Sequence, residues 1–264
     1  MGEAVQKDAR YAVERRAAIL ELLEKHGSVQ VVELSEQFGV SRVTIRSDLD
    51  ALQMAGRLRR THGGAVPITR AVTVSLQDRR VNVNVGAKRA IARTALDLIE
   101  DGDSILLDSG TTALELVRVL SARSGLTIVT NDVTIADFVD RSLPHSEVIM
   151  LGGLLNKGHR YTIGPVTVAA LESLLPAKAF VCPSAYEPGG GLLTNNQNMA
   201  ALKSAFMRCA TKTYLLLDAE KVGEPGLMRY AHLSSADALI TDSDPRGVLA
   251  ADCADAEVPL IIAS

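Results

Sequence analysis

Apolar positions in residues 29–52 fall in two helical registers separated by a glycine. Val31, Leu34 and Phe38 sit at i, i+3 and i+7, and Ile45, Leu49 and Leu52 at i, i+4 and i+7. Gly39 interrupts the first register, and Ser41 stands where it can cap a second helix. The pattern predicts two short helices set at an angle, a helix-turn-helix. Upstream, an amphipathic helix over 10–26 places Ile19, Leu22, Leu23 and His26 on one face and stops at Gly27. It supplies the third helix that a small core needs, with His26 a helix-terminal residue near the negative end of the dipole.

Burying Ile45, Leu49 and Leu52 turns Arg42, Val43, Arg46, Ser47 and Asp50 to solvent, beside Ser41 and Thr44. Cations, hydroxyls and a small apolar group on one helix face suit a DNA major groove. Paired amphipathic helices also occur in domains that bind nothing, so the next segment matters. In AGRLRRTHGGAV (55–66), Arg57, Arg59 and Arg60 alternate with Leu58 and Thr61 ahead of the Gly63-Gly64 turn. This is the pattern of a small β-wing that sets the three arginines and His62 near phosphates. Residues 67–84 carry no helical or strand period and read as a connection.

From residue 85 helix-like and strand-like runs alternate. Helices are expected at 88–100, 112–120, 133–140, 166–174 and 199–209. Strands are expected at 104–107, 126–130, 147–151, 179–182, 213–217, 238–241 and 260–263, with an irregular loop after 151. Short β-rich runs separated by helices imply a mostly parallel sheet covered on both faces. The chain thus divides into a winged helix-turn-helix at 10–66, a linker at 67–84 and an α/β domain at 85–264.

At 264 residues each domain can bury its own core. No run of about 18 apolar residues is present to cross a bilayer, and residues 1–16 lack the apolar centre of a signal peptide, so a cytoplasmic protein is expected. Cys182, Cys209 and Cys253 are odd in number and widely spaced, fitting reduced thiols better than disulfides or a metal site. Net charge is -3, but residues 1–70 carry 11 basic against 9 acidic residues, whereas 71–264 carry 17 against 22. Within 42–70 six arginines face only Asp48 and Asp50. A phosphate-facing surface is therefore concentrated on the second helix and wing.

In open parallel sheets ligands collect at the carboxyl ends of the strands. After the first strand comes Asp108-Ser109-Gly110-Thr111-Thr112, a glycine and hydroxyls at a helix N-terminus, which can cradle an anion or merely cap the helix. Thr130-Asn131, Gly152-Gly153, and Asp218 with Lys221 follow further strands and are expected on the same rim. Lys203 sits amid Ala201, Leu202, Ala205 and Phe206, downstream of Gly189-Gly190-Gly191; such a lysine often only snorkels, yet here it is read as a charge aimed at a ligand. Cradle and cation together suit a phosphorylated sugar.

These motifs make the chain resemble, over nearly all its length, bacterial transcriptional regulators of the deoxyribonucleoside-regulator (DeoR) family. The N-terminal signature runs RRAAILELLEKHG, VVELSEQFGVSRVTIRSDL and RLRRTHGGA; the C-terminal one runs KRAIARTAL, DGDSILLDSGTT, TIVTND, IMLGG, ALKSAFM and LLLDAEKVG. The resemblance implies a C-terminal domain of the ribose-5-phosphate isomerase fold that binds sugar phosphates. It places Ser109, Gly110, Thr111, Thr112, Asn131, Lys203 and Lys221 in the effector pocket. It also implies a homo-oligomer, dimer or tetramer, that binds double-stranded operator DNA and usually represses a sugar catabolic operon, without a cofactor or metal. Three departures stand out. Arg46-Ser47 occupies the recognition helix where many relatives have two arginines. Cys182-Pro183-Ser184-Ala185-Tyr186-Glu187 replaces a segment containing Gly and Asp. Glu220 and Val222 stand where Ser and Phe are frequent.

The alternative is an aldose-ketose isomerase, which a phosphate cradle alone would allow. Proton shuttling beside a carbonyl needs a carboxylate within hydrogen-bond reach, and the segment where that fold would supply its acidic pair reads Cys-Pro-Ser-Ala. No catalytic residue is therefore assigned.

Overall fold

The computed structural model describes residues 2–26, 28–61, 63–67 and 83–263. They form two compact units, Met1–Ser75 and Leu76–Ser264. Most of the 67–84 connection, including Arg70, lies outside the described residues, as do His62 and the side chains of Arg59 and His26.

The first unit contains helix α1 (Gly2–His26), strand β1 (Val29–Gln30), α2 (Val31–Phe38), α3 (Arg42–Met54), β2 (Leu58–Arg60) and β3 (Gly64–Pro67). Helix α1 starts earlier than the apolar register requires, since residues 2–9 hold no proline to stop it. Gly39 ends α2 in the left-handed conformation at φ 63°, its N–H donating to Ser35 O. Ser41 then opens α3, its side chain accepting from Thr44 N at 3.1 Å. Ile19, Leu23, Leu34, Ile45, Leu49 and Leu58 form the buried core between helices and wing. The wing is a three-stranded antiparallel sheet in the order β1-β3-β2, one strand more than the sequence suggested. Gly64 sits so close to β1 that a Cβ would lie 1.8 Å from the Val29 carbonyl oxygen, which fixes the residue as glycine.

In the second unit seven parallel strands lie in the order β15 (Leu260–Ile262), β14 (Ala238–Thr241), β12 (Lys212–Leu216), β9 (Lys178–Val181), β4 (Ser104–Leu107), β5 (Thr127–Thr130) and β6 (Glu147–Met150). Ile105, Leu107, Ile128, Phe180 and Leu216 face one apolar layer, with Ile91 of helix α4 (Val85–Leu96), Leu116 of α5 (Thr111–Val119) and Ile135 of α6 (Val133–Ser142). Leu106, Val129, Val181 and Leu215 face the other, with Leu171 just beyond the short α7 (Pro165–Ala169), Phe206 of α8 (Gln197–Cys209) and Leu249 of α9 (Val248–Asp255). Both faces being covered explains why the strands read as unbroken apolar runs.

Three features depart from the expectation. The segment read as an irregular loop after residue 151 carries a hairpin, β7 (Leu154–Asn156) with β8 (Tyr161–Ile163). A second antiparallel sheet joins β10 (Ala185–Glu187), β11 (Gly191–Thr194) and β13 (Met228–His232), and α9 fills 248–255. These strands have three to five residues, too few for alternation to show against neighbouring glycines. Among the described residues no helix is long and apolar enough to cross a membrane, and no group of three His, Cys, Asp or Glu side chains could hold a metal ion.

Candidate effector cavity and nucleic-acid interface

Strand order reverses next to β4: β5 and β6 follow on one side, β9, β12, β14 and β15 on the other. At such a switch point the chains leaving adjacent strand ends diverge and open a crevice. Here they are Asp108-Ser109-Gly110 after β4 and Cys182-Pro183-Ser184 after β9, and a cavity of about 550 Å³ lies against both. That volume suits a small metabolite.

Ser109, Gly110, Thr111, Lys203, Asp218 and Lys221 come together on the cavity wall. Helix α5 begins there, and the N–H groups of its first turn have no helical acceptor. A Cβ at Gly110 would meet Cys182 Cβ at 3.3 Å, so glycine keeps this turn close to the β9 end. Asp108 lies beneath, fully buried; its Oδ2 accepts from Cys182 N at 2.9 Å and from Lys203 Nζ. Lys203 is 2% exposed, also donates to Cys182 O at 2.7 Å, and stands 5.9 Å from the Tyr230 ring centroid. Lys203, expected to aim its charge at a ligand, does line the cavity, and Asp108 balances that charge within the protein. Thr112 is buried inside α5, and its hydroxyl has no hydrogen-bond partner among the described residues.

Thr130, Asn131, Gly152 and Gly153, expected on the same rim, are not brought to this wall. Thr130 Oγ1 donates to Leu107 O at 2.8 Å, and Asn131 Nδ2 donates to Thr162 O of β8 at 2.9 Å. Gly152 O accepts from Thr167 Oγ1 at 2.7 Å, and a Cβ on Gly153 would meet that oxygen at 2.1 Å. Thr130 thus ties the β5 end to β4, and the other three fasten the β5 and β6 ends to the β7–β8 hairpin and α7.

Sequence reasoning missed Lys88 from α4, Asn156, His159 and Tyr161 from the hairpin, and Thr194, Asn195 and Asn196 ahead of α8. Only Asn196 left a local signal, as a helix cap accepting from Met199 N at 3.0 Å. Three lysines, 88, 203 and 221, meet three carboxylates, Asp218, Glu220 and Glu224, and Lys221 Nζ lies 3.2 Å from Asp218 Oδ2. Lysines can donate to an anionic group, and carboxylates and amides can accept from hydroxyls.

Burial, reinforced by Asp108, pushes the Cys182 thiol from its usual 9.0 to about 11. Burial, with Asp252 nearby, does the same for Cys253. A raised folded-state value means that the folded protein holds the proton more tightly. The associated stability is complete below pH 9 and is lost as pH rises towards 11, by about 3 kcal/mol for Cys182. Urea midpoints measured from pH 8 to pH 11 are expected to fall across that window and to fall less in Cys182→Ala. An unchanged slope in the variant would remove Cys182 from the account.

In the first unit Arg42, Val43, Arg46, Ser47 and Arg57 are exposed along α3 and the start of the wing, with Ser41 beside them. Thr44 is half-buried, its hydroxyl 2.9 Å from Ser41 Oγ. Asp48 is buried on the opposite side and accepts from Arg15 Nε at 2.5 Å and Arg16 Nε at 2.8 Å, locking α3 to α1. Arg60, expected to grip the DNA backbone, donates instead through Nη1 to Asp50 Oδ1 at 2.6 Å and to Arg46 O at 3.1 Å. It pins the wing to α3.

Two family models match the chain, a DeoR-like helix-turn-helix domain over residues 15–71 and a DeoR C terminal sensor domain over residues 83–243. Among relatives, the HTH-type transcriptional regulator GlpR of Haloferax volcanii is 31% identical over 90% of this chain and 91% of its own. The transcriptional repressor AccR of Agrobacterium fabrum is 30% identical over 89% and 92%. The HTH-type transcriptional repressor GlcR of Bacillus subtilis is 31% identical over 89% and 90%. Among solved structures, ribose 5-phosphate isomerase of Methanocaldococcus jannaschii aligns at 16% identity with a TM-score of 0.39, covering 53% of this chain and 55% of that one; a likeness of that degree says nothing about activity. With regulators as its full-length relatives and both domains matched, the chain belongs to the DeoR family of transcriptional regulators and is not an enzyme.

Proposed function

We propose that the protein is a cytoplasmic repressor of a carbohydrate catabolic operon whose operator affinity responds to a phosphorylated sugar. Residues 10–66 read the operator, 67–84 connect, and 85–264 sense the effector. Arg42, Val43, Thr44, Arg46 and Ser47 present the reading face, Arg57 and Arg59 the wing cations, and a homo-oligomer sets two such faces on successive grooves.

The observation that carries the effector assignment is the α5 N-terminus, with Ser109, Gly110 and Thr111, opening on the cavity that Lys88 and Lys221 share. Unsatisfied N–H groups, the helix dipole and two ammonium groups favour a phosphate, while Asp218, Glu220, Asn195 and Asn196 suit hydroxyls. A ligand that binds only the folded state raises its melting point, by about 2.7 kcal/mol of stabilisation at a hundredfold excess over Kd. Screened against phosphorylated sugars and sugar acids, the protein is expected to respond to a phosphorylated sugar and not to its unphosphorylated parent. The same compound should change retardation of the DNA upstream of the protein's own gene. A panel that moves neither the melting point nor the retardation would overturn the effector reading.

A further inference from the structure

We infer that the open edge of the seven-stranded sheet, strand β6, pairs antiparallel with β6 of a second copy of this chain about a two-fold axis at Ile149; this rests on the homo-oligomer proposed above and names its contact. Strand β6 ends the sheet order and is paired with β5 alone. Glu147 N donates to Leu126 O and Leu151 N to Thr130 O, so the odd-numbered residues turn their backbone groups towards β5. Val148 and Met150 turn theirs outward, where no hydrogen bond reaches them among the described residues. A row of unpaired N–H and C=O groups is a template for another strand. Its side chains are apolar too: Ile149 and Met150 are 39% and 37% exposed, and Leu154 and Leu155 of β7 and Val166 of α7 are also exposed.

Folded proteins shield such edges with lysine, proline or a bulge. The opposite edge has one of these, Pro259 immediately ahead of β15. Strand β6 reads Glu-Val-Ile-Met, keeps register with β5 throughout, and has none. The symmetry of the strand selects a second copy as its occupant. With Ile149 opposite Ile149, Val148 of each copy lies across from Met150 of the other, and each such pair exchanges both its N–H and C=O bonds. Every outward backbone group within β6 is then satisfied. An axis at Val148 instead would carry Met150 past the end of the partner strand and set Glu147 against Ile149. In the Ile149 register each Glu147 faces Leu151, and the two carboxylates are offset along the strands by about 13 Å, more than the Debye length of about 8 Å. The one charge on the strand therefore does not oppose its own copy. The contact closes on itself and leaves no edge for further chains.

In the full chain, Ile149→Cys sets two thiols across the axis at a non-hydrogen-bonded pair, where Cα atoms lie about 4.5 Å apart, within reach of a disulfide. Oxidation by air with copper phenanthroline is expected to convert most of this variant to a covalent dimer. The parent, in which Cys182 and Cys253 are buried, should not cross-link, nor should Leu227→Cys, a position 80% exposed just ahead of β13. Ile149→Lys places two ammonium groups face to face, and sedimentation equilibrium is expected to give half the parent's mass. Should Ile149→Lys lose its folded circular dichroism, Met150→Lys carries the same expectation. A parent that sediments as a monomer overturns the pairing and the homo-oligomer together. An assembled parent whose Ile149→Cys variant cross-links no better than Leu227→Cys, or whose folded lysine variant keeps the parent's mass, overturns the pairing alone.

Discussion

Replacing Asp108 with asparagine is expected to lower the folding stability of the second unit by about 3–5 kcal/mol, the range for removing one member of a buried ion pair. Asp108 is fully buried and Lys203 is 2% exposed, so water is a poor substitute for the lost carboxylate. Asparagine can still accept from Cys182 N and Lys203 Nζ through one oxygen, but the ammonium is then left with neutral described partners alone: that amide oxygen, the Cys182 carbonyl and the Tyr230 ring. Those neighbours supply dipoles and no counter-charge. Lys203→Met is expected to be nearly as damaging, because it leaves the carboxylate buried with one backbone N–H and an Oδ1 that already lacks a partner among the described residues. The double variant Asp108→Leu with Lys203→Met should regain most of the loss, since an apolar pair of similar volume often matches a buried ion pair. Urea unfolding of the four proteins closes the cycle. Single variants within about 1 kcal/mol of the parent would mean that the pair is solvated, at odds with its burial.

That pair also shows where the sequence stops being readable. Asp108 and Lys203 stand far apart along the chain, and each looks locally like ligand-binding chemistry: an acid at a strand end, a cation on a helix. Their mutual neutralisation follows from β4 and β9 being neighbours in the sheet, and strand order is not encoded by periodicity. The same holds for Lys88, whose place on the cavity wall depends on where α4 packs. Thr130, Asn131, Gly152 and Gly153 were polar or small for the sake of neighbouring backbone, a need no window of sequence displays. By contrast the helix-turn-helix was legible, because its determinants are local: an apolar register, a left-handed glycine at 39 and a serine cap at 41. The parallel sheet was legible as continuous apolar runs, whereas β10, β11 and β13 were too short to carry a period.

On the DNA-binding face the two kinds of arginine should separate by experiment. Arg46 and Arg42 are exposed on α3. Arg46→Ala is expected to weaken operator binding by about 1–3 kcal/mol if it reads a guanine, with relaxed specificity at one base pair, or to lower the salt slope by about one if it meets a phosphate. Arg42→Ala with Arg46→Ala should abolish specific retardation. Arg60→Ala is expected to act by another route. Its guanidinium holds Asp50, 62% exposed on α3, and without it that carboxylate faces the DNA phosphates as an uncompensated negative charge while the wing loses its anchor on the Arg46 carbonyl. Removing the charge as well, with Asp50→Asn, should therefore recover much of the affinity lost in Arg60→Ala. A directly phosphate-gripping Arg60 would behave differently: its loss would reduce the salt slope by about one, and Asp50→Asn would not restore it. Retardation of the operator fragment by the single and double variants at two salt concentrations decides between a wing anchor and a phosphate contact.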